Sequence, residues 1–121
     1  MATKKPRRDT APEIINAHTR DGQTFQVVVP QSREDVENQP GVPAHVLALL
    51  AFAPRVNGLR RWSEFTKFTL SRLADQYGDD NLRSVLANLL DDITHGFSPT
   101  NPVGVFIHRV RATATTSNLT I

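Results

Sequence analysis

Apolar residues recur at helical spacing through the second half of this chain, and a helix-stopping or helix-starting residue closes each run. The first long run ends at Gly78 and the second at His95-Gly96, where glycine is typical of a helix C-terminus. Asn101-Pro102 then supplies a capping side chain and a proline whose missing N–H costs nothing in the first turn. The pattern predicts four helices around one core, near residues 44–52, 59–77, 80–94 and from 101 onward.

The segment before these helices predicts a β-hairpin. β-Branched and aromatic residues lie on both sides of Arg20-Asp21-Gly22, which is a strong turn signal. We expect strands near residues 13–19 and 24–29, and Pro30 ends the second strand. A lone hairpin is marginally stable in water, so it must pack on the helices or pair with another chain. The second alternative makes residues 24–29 a candidate dimerisation edge.

Length and composition narrow the class of protein. A chain of 121 residues suits one domain with tails. The absence of cysteine excludes disulfides, zinc–thiolate sites and cysteine nucleophiles, and it fits a reducing cytoplasm. No apolar run approaches the roughly 18 residues that a membrane helix needs, and the charged N-terminus is unlike a secretory signal. We therefore expect a cytoplasmic, mainly α, four-helix single domain over residues 13–112 with an N-terminal β-hairpin, a disordered basic tail over 1–12 and a flexible tail over 113–121.

The excess positive charge lies in the predicted N-terminal tail. The formal net charge is +2, but residues 13–112 contain 10 basic and 11 acidic residues and are therefore close to neutral. The tail contributes Lys4, Lys5, Arg7 and Arg8. Such a cluster can contact phosphates, or it can serve only as a solubilising leader.

Arginine dominates the remaining basic residues, and guanidinium groups bind phosphates or carboxylates in pairs of hydrogen bonds. One group lies in or just before the second predicted helix, and another lies near the end of the fourth. The alternative is that these groups pair with neighbouring carboxylates, for example Arg83 with Asp79 or Asp80. The candidate nucleic-acid-binding residues are Lys4, Lys5, Arg7, Arg8, Arg60, Arg61, Lys67, Arg109 and Arg111.

Residues suited to catalysis are few, so we expect a protein that is not an enzyme and that uses no cofactor or metal. No phosphate-binding glycine loop, dinucleotide pattern or His-Glu-x-x-His sequence occurs. The spacing of Asp91 and Asp92 to His95 could hold a metal or relay a proton, but it is also typical of a solvated helix end. We interpret His18 and His45 as ordinary surface or capping residues.

The second half of the chain contains the sequence LADQYG at residues 73–78, an amphipathic run at 82–93, and NPVGVFI at 101–107 followed by Arg109 and Arg111. Together these three pieces resemble the C-terminal helical modules of phage and plasmid replication initiators and of DnaD-like primosome proteins. The resemblance covers about a third of the chain. The winged-helix domain usual in those proteins has no counterpart here, and neither does the aromatic-rich end of many DnaD-like modules.

In that family the last helix and its basic end touch DNA or a helicase partner. The resemblance therefore implies contacts from the corresponding residues of this chain. They are Asn101, Pro102, Gly104, Phe106, Arg109 and Arg111.

Two functions follow as hypotheses. The first is a small non-enzymatic nucleic-acid-binding or replication-accessory protein, in which the tail and the arginine-rich faces neutralise phosphates. The alternative is a helical protein–protein interaction adaptor or regulatory module, with a homodimer as one arrangement and no membrane contact. Trp62, Phe65 and Phe68 fit within a small core, but Phe68 or Trp62 would become an interface anchor if it were exposed. The candidate interface residues are Phe25, Val27, Trp62 and Phe68.

Overall fold

A computed structural model describes residues 13–18 and 22–119, with side chains described as far as residue 113. The predicted mainly α fold with an N-terminal antiparallel hairpin is confirmed. The predicted tail over residues 1–12 and most of the predicted Arg20-Asp21-Gly22 turn lie outside the described residues. In chain order the elements are β1 Ile14–His18, β2 Thr24–Val28, α1 Arg33–Glu37, α2 Ala44–Phe52, β3 Arg55–Val56, β4 Leu59–Arg60, α3 Glu64–Tyr77, α4 Asp79–Thr94 and α5 Pro102–Leu119.

Helix α4 is the centre of the core. It packs against α1, α2, α3 and α5. Its residues Leu82, Leu86 and Leu89 are fully buried, and α5 adds Phe106 and Val110 to the same cluster. These buried positions recur at three- and four-residue intervals, as the amphipathic pattern predicts. Among the described residues, no helix has the length and apolar composition needed to cross a bilayer.

Local signals set most of the helix ends. Ser32 accepts a hydrogen bond from the Asp35 N–H and starts α1, and Asn101 accepts one from the Gly104 N–H and starts α5. Gly78 takes a positive φ of 90° between α3 and α4. A residue with a Cβ rarely adopts that conformation, so the glycine permits the sharp change of direction there.

Asp79 is the first residue of α4, where a carboxylate is typical of a helix cap, but it does not cap its own helix. Its Oδ1 instead accepts a hydrogen bond of 2.6 Å from the Ala44 N–H, at the start of α2. Pro43 precedes α2 and has no side chain that can accept a hydrogen bond, so a carboxylate from a distant part of the chain satisfies that N–H.

Helix α3 begins at Glu64, five residues later than predicted, because a second hairpin comes before it. Asn57 and Gly58 both take positive φ and join β3 to β4. An Asn-Gly pair of that conformation is the turn that suits a two-residue hairpin. Ser63 then caps α3 by accepting from the Thr66 N–H.

Helix α5 continues to Leu119, where the sequence analysis predicts a flexible tail from residue 113. The segment after residue 104 contains no glycine or proline. A helix that has already started adds residues at little cost in free energy, so weak propensity alone does not end it. Thr120 and Ile121 lie outside the described residues.

Candidate functional site

Three of the candidate nucleic-acid-binding residues are each paired with a carboxylate. Arg60 Nη2 lies 2.8 Å from Glu13 Oε1, and its Nη1 donates to the Ala53 carbonyl oxygen at 3.0 Å. Lys67 Nζ lies 3.1 Å from Glu64 Oε2. Arg109 Nη1 lies 2.8 Å from an oxygen of the Asp92 carboxylate. A phosphate would have to displace a carboxylate at each of these positions.

Six further candidate residues belong to this set. Lys4, Lys5, Arg7 and Arg8 lie outside the described residues. Arg61 and Arg111 are exposed, and Arg61 has no carboxylate partner within the described part of the chain. Two of the paired cations connect different elements: Arg60 joins the β3–β4 hairpin to Glu13, and Arg109 joins α5 to α4. The third, Lys67, pairs within α3.

Glu13 has a structural role at the first of these junctions. Arg60 and Arg55 both donate to its Oε1. The hydrogen bond from Arg60 is the main cause that lowers the pKa of Glu13, and Arg55 adds to it, while burial acts in the opposite direction. Two guanidinium groups thus fasten the start of the N-terminal hairpin to the β3–β4 hairpin.

The hairpin residues proposed as an interface belong to the core, which corrects that prediction. Val27 is fully buried, and Phe25 packs against the same apolar cluster. Both point to one face of β2, because alternate residues of a strand share a face. The outer edge of β2 is also partly covered. The Gln39 side-chain amide accepts from the Val28 N–H and donates to the Val28 carbonyl oxygen, both at 2.8 Å.

The aromatic residues around α3 are more accessible. Phe65 is 78% exposed and Phe68 is 48% exposed, although the helical pattern places Phe65 on the buried stripe of α3. Trp62 is half-buried, and its Nε1–H donates to the Leu49 carbonyl oxygen. The Arg72 guanidinium carbon lies 5.5 Å from the centroid of the Phe68 ring, within range of a cation–π contact.

Phe65 stands at the edge of an apolar groove of about 310 Å³ between the first turns of α3 and α5. Aromatic and aliphatic side chains make most of the wall, with threonine hydroxyls and the Asn101 amide as the polar groups. The residues that define it are Phe52, Trp62, Phe65, Thr69, Val103 and Ile107.

Gly104 also lines the groove, and its lack of a side chain has a local cause. A Cβ at this position would lie 2.8 Å from Asn101 Nδ2. The Asn101 side chain occupies that space because it caps α5. Asn101, Pro102 and Gly104 are three of the residues to which the family resemblance points, and all three line this groove. Phe106, a fourth, is fully buried.

A second cavity of about 350 Å³ lies on the other flank of α3, beside His18, His45, Lys67 and Ser71. Nδ1 of His45 is buried and has no hydrogen-bond partner. Burial lowers the pKa of His45, and the charges of Asp79 and Asp75 oppose that shift. A neutral imidazole here is the form that burial favours.

The acid–histidine sequence at the end of α4 forms an ordinary helix terminus. His95 Nδ1 lies 2.7 Å from the carbonyl oxygen of Asp91, one turn earlier. Asp92 is engaged by Arg109. Within the described residues, no group of three or more histidine, aspartate and glutamate side chains is arranged to hold a metal ion.

Comparisons of this chain with protein-family models, with curated proteins and with solved structures found no match. The groove between α3 and α5 therefore has to be interpreted from its own chemistry.

Sequence reasoning placed Phe65 in the core because its spacing to Thr69, Leu73 and Tyr77 is helical. What it missed is that Leu59 and Arg60 pair back onto Arg55 and Val56 across the Asn57-Gly58 turn. This second hairpin delays the start of α3 and leaves Phe65 in the first turn of the helix. At that end of the helix, no element of the described part of the chain covers most of the ring.

Proposed function

We propose that this protein is a non-enzymatic helical interaction module that binds an apolar segment of a partner protein in the groove between α3 and α5. The observation that carries the proposal is the position of Phe65, a 78% exposed ring beside an apolar concavity. Large aromatic side chains next to such concavities are typical anchors of protein interfaces.

The energetics of folding do not account for the placement of Phe65. Burying a phenylalanine side chain contributes about 1.5–3 kcal/mol, and the fold leaves most of this contribution unused. A partner that covers the ring and fills the groove would gain it. Phe68 and Leu59 are also exposed near the same end of α3, so the apolar surface extends beyond one side chain.

The distribution of ion pairs favours this function over a phosphate-binding face on the folded body. Arg60, Lys67 and Arg109 already hold carboxylates. In the modules that the second half of the chain resembles, the last helix touches either DNA or a helicase partner. The groove formed by the start of α5 suits the second kind of contact.

Nucleic-acid binding remains a second candidate because of one specific observation. Arg61 and Arg72 have no carboxylate partner within the described residues, and Arg72 lies over the exposed Phe68 ring. An arginine beside an accessible aromatic ring is an arrangement that also binds single-stranded nucleic acid by stacking. Binding of that kind would weaken steeply with added salt.

The test compares two exposed phenylalanines. Peptides selected from a random displayed library on the full-length chain are titrated against the wild type, Phe65→Ala and Phe97→Ala. Phe97 is the matched control, because it is 40% exposed and lies under Arg109, away from the groove. We expect Phe65→Ala to weaken binding by about tenfold or more, as truncation of an interface anchor does, and Phe97→Ala to leave it unchanged.

Two further measurements make the outcome decisive. Urea unfolding should give Phe65→Ala a stability within about 0.5 kcal/mol of the wild type, since the ring is exposed. Amide chemical-shift changes on peptide addition should map to the starts of α3 and α5. Peptides that bind equally well to Phe65→Ala, or that shift amides elsewhere, would refute the groove as the binding site.

A further inference from the structure

We infer that the segment bound in the groove is acidic: it places one bulky apolar side chain beside Phe65 and a carboxylate against Arg72. This inference rests on the proposed function and specifies the chemical class of the partner. It depends on how the charges of the described residues are distributed.

Six cations of the described residues are neutralised by carboxylates within the fold. Each has a carboxylate oxygen within 4.0 Å of a side-chain nitrogen. Arg61 and Arg72 differ, since neither has such a partner within the described part of the chain. The cations paired with carboxylates are Arg33, Arg55, Arg60, Lys67, Arg83 and Arg109.

The two unneutralised cations lie near the groove in sequence and along the helix. Arg61 directly precedes Trp62, which lines the groove. Arg72 is seven residues after Phe65, so the two side chains leave α3 on the same face, about 10 Å apart along its axis. Phe68 lies between them on that side of the helix and holds the Arg72 guanidinium over its ring.

Residues 61–75 carry three basic and two acidic residues, a net charge of +1. Glu64 is paired with Lys67, and Asp75, three residues after Arg72, forms no ion pair among the described residues. The acidic residues of the fold concentrate instead on α1 and at the two ends of α4. The surface beside the groove is therefore the side that attracts negative charge. An interface gains specificity and speed of association when its charges complement those of the partner.

The position of Arg72 makes the complementarity specific. A guanidinium that lies over an aromatic ring keeps its N–H groups free at the edge, where they can donate in parallel to a carboxylate. The 10 Å offset from Phe65 corresponds to about seven residues of a helical partner or about three residues of an extended one. An apolar anchor followed at that spacing by aspartate or glutamate is the pattern that fits.

The experiment uses the full-length chain and three probes. Two synthetic 15-residue peptides carry the same leucine and phenylalanine anchors and differ only in having glutamate or glutamine at four flanking positions. The third probe is a single-stranded 15-nucleotide DNA, a polyanion without the apolar anchors. Fluorescence anisotropy measures each probe against the wild type, Phe65→Ala, Arg72→Gln and, as a control of equal charge change, Arg33→Gln.

We expect the glutamate peptide to bind about tenfold more tightly than the glutamine peptide at low salt, because desolvated charge pairs reach that size. Arg72→Gln should remove most of this difference, and Arg33→Gln should change it less than about twofold, since Arg33 lies on α1 and is paired with Asp91. Phe65→Ala should weaken both peptides. Raising the salt should weaken the glutamate peptide selectively.

The outcomes separate the two proposals. Equal binding of the two peptides that still requires Phe65 would overturn the acidic partner and leave the interaction module in place. Peptide binding that is indifferent to Phe65 would overturn both. Tight binding of the DNA that depends on Phe65 and Arg72, without peptide binding, would overturn both in favour of the nucleic-acid candidate.

Discussion

Helices α3 and α4 are neighbours in the chain, joined at Gly78, but they differ in how completely their apolar side chains are buried. Helix α4 buries its apolar stripe because it packs against α1, α2, α3 and α5. Helix α3 buries Leu70 and Leu73 but leaves Phe65 and Phe68 in solvent. The comparison shows that the spacing of apolar residues decides which face they share, while the surrounding elements decide whether that face is covered.

The arginines of the two helices also differ in how far the fold engages them. Arg83 of α4 is engaged on several sides: it pairs with Asp79 and donates to the Val36, Gln39 and Val42 carbonyl oxygens. Arg72 of α3 contacts an exposed ring and holds no carboxylate among the described residues. One arginine completes the fold, and the other is available at the surface.

The largest expected effect is a loss of stability on truncating a buried side chain of α4. Leu86→Ala removes a fully buried side chain from the centre of α4 and should lower the free energy of unfolding by about 2–5 kcal/mol. Urea unfolding followed by circular dichroism measures the loss. A change below about 1 kcal/mol would mean that α4 is not the centre of the core.

A smaller effect is expected at the charged side of α4. Arg83→Met keeps the aliphatic stem but removes the guanidinium donor from the carbonyl oxygens of Val36 in α1 and of Gln39 and Val42 in the loop that follows. We expect a loss of about 1.5–3 kcal/mol in the same unfolding measurement, as for hydrogen bonds to charged groups.

Arg33→Gln serves as the control for Arg83→Met. The Arg33 side chain is about two-fifths exposed, and its pairs with Glu37 and Asp91 are long, while its Nη2 donates to Asn88 Oδ1 at 2.7 Å. Because these contacts are exposed, their loss should cost about 1 kcal/mol or less. Equal losses for the two variants would show that Arg83 acts only as a surface charge.

The smallest effect is expected at His45, beside the cavity on the other flank of α3. Burial lowers the pKa of His45 in the folded state, whereas the unfolded chain takes up the proton near about pH 6.5. Between that pH and the lower folded pKa, the unfolded chain binds more protons, so stability falls as the pH falls through about 6.5. His45→Gln should flatten this dependence.

Urea midpoints at about pH 7.5 and about pH 5.5 for the wild type and His45→Gln give the comparison. The wild type should lose more stability on acidification than the variant does. An identical loss in both would assign the dependence to other groups. Glu13 is not one of them, because its lowered pKa makes stability fall with acid only below the usual pKa of a glutamate.

The sequence by itself determined the helix ends at Gly78, His95-Gly96 and Asn101-Pro102, and it determined the hairpin that precedes the helices. These features depend on groups within a few residues of one another, so the conformational preferences of single residues are enough to define them. The amphipathic faces of α4 and α5 could be predicted for the same reason.

Only the tertiary structure decided which carboxylates hold Arg60 and Arg109, which helix Asp79 caps, and whether Phe65 is covered. Glu13 and Arg60 are 47 residues apart, and Asp79 and Ala44 are 35 apart. Contacts over such separations depend on how whole elements pack, and no local pattern encodes them. The accessible ring beside the groove has the same origin: α5 approaches α3 closely enough to form one wall but does not cover Phe65.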